Sequence, residues 1–175
     1  MTPTVEVRDD RSDDGDDAAE GSPGAEPPLL EPDLLDTLGG ILASVLAAEG
    51  VPGRASAGLT LVSSDAIATL KAEHLGGDGP TDVLSFPLDG TGPVPEGEPW
   101  LVGDVVLCPS VAAAQAPSHA GTLQDELALL VVHGGLHLCG WDHDGPEDQA
   151  AMWARERELL TGLGRTPARD PWGPS

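Results

Sequence analysis

Apolar residues return at helical spacing in Leu34, Leu35, Leu38, Ile41, Leu42, Val45 and Leu46, which predicts a helix over about 33–49, stopped by Gly50 and Pro52. The alternation from Ala57 to Val62 reads as a strand, and a short helix over 65–74 runs out into Gly76-Gly77-Asp78-Gly79-Pro80. Val83 to Phe86 is a second strand cut off by Pro87, residues 88–99 form a loop, and Leu101 to Leu107 is a third strand. A short helix is expected over 110–116. Thr122 and Asp125 resemble a capping box that opens a longer helix, which ends near Cys139 where Gly140 supplies a left-handed position. Pro146 opens a last helix to about Leu160. Strands and helices interleave without repeats, so the expected fold is α+β, a small mixed β-sheet packed with helices in a single domain.

Composition divides the chain further. It carries 30 Asp and Glu against 8 Lys and Arg, a formal net charge of -22 over 175 residues, with 23 Gly and 17 Pro. The stretch RDDRSDDGDDAAEGSPGAEPP, residues 8–28, cannot bury enough apolar surface to offset its ordering entropy. Residues 1–28 therefore read as an acidic, mostly disordered segment with a short strand at 4–7, residues 29–163 as the folded domain, and 164–175 as a flexible C-terminal tail. The apolar run Leu127 to Val132 is far too short for a membrane span and the N-terminus lacks the apolar core of a signal peptide. Cys108 and Cys139 are too few for a disulfide scaffold, and a reducing, cytoplasmic setting with no membrane partner is expected. Such acidity argues against wrapping a nucleic-acid backbone non-specifically, so a polyanion must be engaged locally, through a metal. Arg54, Lys71, Arg155, Arg157, Arg165 and Arg169 read as scattered, and the alternation of Arg155 and Arg157 with Glu156 and Glu158 as a solvated helix face.

The chemistry concentrates in His133-Gly134-Gly135-Leu136-His137-Leu138-Cys139-Gly140-Trp141-Asp142-His143. A spacing of four puts His133 and His137 on one helical face, one turn apart, and Gly140 lets the chain turn so that His143 can join them. Three neutral imidazoles suit Zn2+, one ion per chain, and leave a fourth position open for water or substrate. The two glycines cost about 0.5–1 kcal/mol each in a helix interior, which points to a close-packing or site reason for them. The spacing equals that of the long zincin motif, giving a zincin-like metal-binding helix, but Gly134 stands where a peptidase needs its catalytic Glu. His74 and His119 are expected to have no ligand role.

Residues 133–143 resemble the signature H-G-x-L-H-L-x-G-Y-D-H of the YbeY endoribonuclease family, with Trp141 in place of the usual Tyr. Pro80-Thr81-Asp82-Val83-Leu84-Ser85-Phe86-Pro87 and Gly103-Asp104-Val105-Val106-Leu107 agree as well, so the likeness covers about 34–163. The resemblance implies zinc held by His133, His137 and His143, a mixed-sheet α+β fold and a cytoplasmic location. It also implies single-strand-specific cleavage of RNA in 16S rRNA 3′-end maturation and ribosome quality control. The implied partners are rRNA and the small ribosomal subunit, with ribosomal proteins and a ribosome-assembly GTPase, and no DNA. One departure is His74-Leu75, where many members have an aromatic residue followed by an assisting Arg. Asp82 reads either as a supporting catalytic carboxylate or as a turn residue. Asp142 either orients a ligand imidazole or faces water, Ser85 is structural, and Trp141 and Trp153 either stack on bases or pack beside the site. Competing functions are a metal-dependent hydrolase of another substrate and a ribosome-assembly binding factor with little nuclease activity.

Overall fold

The computed structural model describes residues 2–13 and 30–173. Four strands form one mixed sheet: β1 (Thr4–Asp9), β2 (Ser56–Leu61), β3 (Val83–Pro87) and β4 (Leu101–Leu107), in the spatial order β1-β2-β4-β3. The first two interfaces are parallel and β3 runs antiparallel to β4. Among the described residues five α-helices accompany them: α1 (Pro32–Ala48), α2 (Ser64–Leu75), α3 (Pro109–Gln115), α4 (Leu123–Leu138) and α5 (Pro146–Gly162). Each lies within a residue or two of its expected span.

Alternation along the strands divides the core. Ala57, Leu59 and Leu61 of β2 and Val105 and Leu107 of β4 join Leu38, Leu42, Leu127 and Leu136 of α1 and α4 in the main cluster. Val106 and Leu84 point to the opposite face, against Ile67 of α2 and Cys108. Burying each large apolar side chain contributes roughly 1.5–3 kcal/mol, so the sheet is locked between these layers.

The adjacent glycines of α4 explain how it reaches both neighbours. A Cβ on Gly134 would lie 2.8 Å from Val105 Cγ1 of β4, and one on Gly135 would lie 2.9 Å from Leu42 Cδ1 of α1. Positions one residue apart are rotated by about 100° around the helix, so one glycine lets α4 lie on the sheet and the next lets it lie on α1. The close-packing reason expected for this pair is thus present. It fixes the helix that carries His133 and His137.

Two expectations about the chain ends are corrected. The segment read as disordered from Arg8 onward begins inside β1, which extends the strand expected at 4–7 to Asp9 and pairs along its whole length with β2. Asp9 and Arg11 make this possible: their side chains, 8% and 3% exposed, meet at 2.8 Å and neutralise each other. The charge block was read as unable to bury enough surface to order, whereas one opposite pair lets its first residues be buried. The rest of that reading, from residue 14 to 28, lies outside the described residues. Residues 164–173 of the tail expected to be flexible fold back as a strap. Ala168 N donates to Asp125 Oδ2 and Arg169 N to Ala120 O, both at 2.9 Å, and Pro171 is buried. Among the described residues no helix is long and apolar enough to cross a membrane.

Candidate metal centre

Helix α4 starts as its sequence suggests, with the Thr122 hydroxyl accepting from Asp125 N at 3.1 Å. It ends in a Schellman turn: Gly140, at φ 96°, lets Trp141 N reach Leu136 O and Gly140 N reach His137 O, both at 3.1 Å. That reversal has two consequences. It brings the Trp141 carbonyl to within 2.8 Å of His137 Nδ1, and it swings His143 back toward the helix. One ligand atom from each of His133, His137 and His143 lies within 4.8 Å of the others, and the ring centroids stand 4.5, 5.3 and 5.0 Å apart.

The tautomers follow from the partners. A backbone carbonyl only accepts, so His137 Nδ1 carries a hydrogen; His133 Nδ1 likewise donates to the Glu156 carboxylate at 2.6 Å. In the neutral rings both Nε2 atoms are then lone pairs, and they face each other at 3.1 Å. Two lone pairs at that distance repel unless a proton or a metal cation lies between them. Tetrahedral zinc with bonds of about 2.0–2.1 Å holds its ligand atoms about 3.3 Å apart, so the residues present fit such an ion. Burial, then the neighbouring His133 ring, hold the His137 imidazole below its usual pKa, in the neutral form that ligates. Burial and the nearby Glu49 push the Cys139 thiol up to about 12.

Glu156 is the site residue that sequence reading missed. It was placed on a solvated face with Arg155, yet it is 2% exposed. Its Oε1 accepts from His133 Nδ1 and its Oε2 accepts from Trp172 Nε1 at 2.9 Å, so the strap, the last helix and His133 are linked in one chain of hydrogen bonds. A signal was available: Glu156 falls on the stripe formed by Met152, Leu159 and Leu160. Carboxylate partners of this kind orient a ligating imidazole and raise its basicity.

Of the other expected site residues, Asp82 lines the same cleft as His133, a hollow of about 150 Å3 walled by Leu129, Leu130, Trp153, Glu156 and Trp172. Its Oδ2 accepts from Gln115 Nε2 at 2.8 Å. Asp142 is exposed, and its Oδ1 accepts from the backbone N of His143 at 2.7 Å, so it braces the turn rather than an imidazole ring. Ser85 donates to Gly134 O at 3.0 Å, a structural bond between β3 and α4. Trp141 turns its indole to Glu49, whose Oε2 accepts at 3.0 Å, and packs on the core; Trp153 lines the cleft. His119 also lines the cleft, its Nδ1 held at 2.7 and 2.9 Å by both oxygens of the fully buried Glu126. His74 packs its ring edge-on to Phe86, and Leu75, at the position of the family's Arg, is 62% exposed.

The sequence profile described as Endoribonuclease YbeY matches residues 29–164. The chain belongs to that family. It is 44% identical over 137 residues to the endoribonuclease YbeY of Moorella thermoacetica, covering 75% of this chain and 88% of that one. It is 46% identical over 129 residues to the endoribonuclease YbeY of Salinispora tropica, covering 69% and 82%. The solution structure of TM1509 from Thermotoga maritima superposes with a TM-score of 0.52 at 26% identity, over 97% of this chain and 99% of that one. The profile begins after β1, yet that strand is hydrogen-bonded along the edge of the sheet here.

Proposed function

We propose that this protein is a zinc-dependent, single-strand-specific endoribonuclease of the cytoplasm, acting on the small ribosomal subunit in 16S rRNA 3′-end maturation and ribosome quality control. The observation that carries the metal requirement is the convergence of His133, His137 and His143 within 4.8 Å, with the Nε2 atoms of the first two 3.1 Å apart and their Nδ1 atoms bonded to Glu156 and to the Trp141 carbonyl. When bound, zinc supplies Lewis-acid polarisation of a phosphoryl oxygen and acidifies water toward neutral pH. The chain's own residues do the rest. His133, His137 and His143 hold the ion, Glu156 fixes the His133 tautomer, and Asp82 and His119 line the cleft in which a phosphodiester would lie.

A peptidase reading has no support at position 134. A side chain there would run into Val105 and Ser85, so the carboxylate such enzymes use has no room beside the ligands. A second reading, a ribosome-assembly factor with little nuclease activity that works with ribosomal proteins and an assembly GTPase, is favoured by Leu75, which offers no guanidinium to a phosphate. Elemental analysis of wild type and His137→Ala, paired with cleavage of single-stranded and structured rRNA fragments, separates these. Joint loss of metal and cleavage in the variant supports the nuclease. Full cleavage by metal-free protein refutes it, and stoichiometric metal with subunit binding but no cleavage supports the assembly factor.

A further inference from the structure

A chain of net charge -22 repels RNA over most of its surface, so a substrate strand approaches where the field is least adverse. Of the eight cations, Arg8, Arg11 and Arg155 are engaged in ion pairs, with Asp10, Asp9 and Glu49. Arg54 is held by the carbonyls of Val94 and Glu98. Among the described residues Lys71, Arg157, Arg165 and Arg169 make no ion pair, and three of these four lie on α5 and the strap that follows it. Read along the sequence these arginines look scattered. Folding gathers two of them.

Arg157 and Arg165 line one groove of about 290 Å3 with Thr161, Thr166, Asp170 and Trp172. Trp172 is also a wall of the histidine cleft, so the groove and the cleft adjoin across a single indole. The Arg157 guanidinium lies over that indole, 4.9 Å from the ring centroid, which holds its planar fork in place before any ligand arrives. Asp170 carries the one opposing charge in the groove, and its Oδ1 is occupied by Trp172 N at 2.9 Å.

We propose that this groove binds the phosphate backbone of single-stranded RNA and leads the strand past Trp172 into the histidine cleft. Guanidinium groups match phosphate oxygens in geometry, and the hydroxyls of Thr161 and Thr166 add neutral donors. The proposal rests on the endoribonuclease reading, and its test separates the two.

Binding of a labelled, 2′-O-methylated single-stranded oligonucleotide to the metal-loaded protein is followed by fluorescence anisotropy across a salt series, with unmodified RNA in a parallel cleavage assay. Each phosphate contact on a single strand contributes about 0.7 to the slope of log affinity against log salt. Arg157→Gln with Arg165→Gln should lower that slope by about 1.4, which corresponds to roughly 25-fold weaker binding at 0.1 M salt. The double Lys variant should recover most of the slope, and Lys71→Gln, on α2, should bind as wild type does. Circular dichroism of each variant reads folding independently. If wild type cleaves RNA and the double Gln variant binds with unchanged slope, the groove is overturned and the nuclease stands. A wild type that binds no RNA overturns both, and equal affinity for a polyglutamate peptide overturns the RNA assignment of the groove.

Discussion

Replacing Glu156 by Gln keeps the shape of a buried side chain and changes one oxygen into an NH2 group. In the wild type both carboxylate oxygens accept, from His133 Nδ1 at 2.6 Å and from Trp172 Nε1 at 2.9 Å. A Gln amide can accept at only one end, so its NH2 must face either the indole N–H or the imidazole N–H. In the first arrangement Trp172 loses its acceptor. In the second, His133 must move its proton to Nε2, the atom that faces His137 Nε2 at 3.1 Å, and the ring can no longer ligate there. Either way the charge that strengthens the imidazole as a donor is gone. Partners of this kind typically contribute 10–100-fold in metal affinity, or about 1.4–2.8 kcal/mol. Competition against a chromogenic chelator at pH 7 measures it directly, and Glu156→Asp, which restores the charge on a shorter stem, should recover part of the loss. The metal-free variant should unfold within about 1 kcal/mol of wild type, because removing a buried charge offsets a lost hydrogen bond. Chelator titrations that superpose for Glu156→Gln and wild type would refute the coupling between the last helix and the ligand.

Three further outcomes follow from the packing and the charges. Gly134→Ala places a methyl 2.8 Å from Val105 Cγ1 and 3.3 Å from Ser85 Oγ; overpacking of about 1–3 kcal/mol outweighs the gain of up to ~1 kcal/mol in helix propensity, so urea denaturation should show a net loss near 1 kcal/mol. For Asp9, burial alone would raise the carboxyl pKa, but the hydrogen bonds and charge of Arg11 outweigh it and hold the group below its usual value, so the stabilisation is complete above about pH 4 and fades as pH falls through the lowered value. Asp9→Asn should therefore cost about 3 kcal/mol at pH 7 and progressively less below pH 4, and a deficit independent of pH would contradict the assignment. Trp172→Phe keeps an aromatic side chain, smaller than the indole, and removes the donor to Glu156; a loss of about 1.5–3 kcal/mol in thermal unfolding is expected, and none would show that the strap is not held through this bond.

Local patterns along the chain were legible wherever one periodicity decided them. The stripe from Leu34 to Leu46, the alternation in β2, the Thr122 cap and the glycine at 140 each report a single element, and each formed close to its expected span. The histidine trio was legible for the same reason, since helix pitch and one turn suffice to bring the rings together. What failed were pairings between distant segments. Asp9 and Arg11 lie two residues apart, but their burial depended on β1 finding the edge of β2. Glu156 with His133 depended on α5 crossing α4, and a buried acid between two arginines looks like a solvated one until its neighbours on the apolar stripe are counted. The strap residues from 164 carry no periodicity of their own; their order comes from Asp125, Ala120 and Glu156, none of which lies nearby in sequence.

The wedging of Gly134 and Gly135 between β4 and α1 makes the three histidines unequal. Spreading His133 from His137 would prise the helix out of a tightly fitted seam and disturb the whole interior, whereas His143 sits on an exposed bend whose displacement disturbs little else. The seat thus has two fixed jaws and one hinged one. An ion held between these rings would meet its least constrained side at the bend.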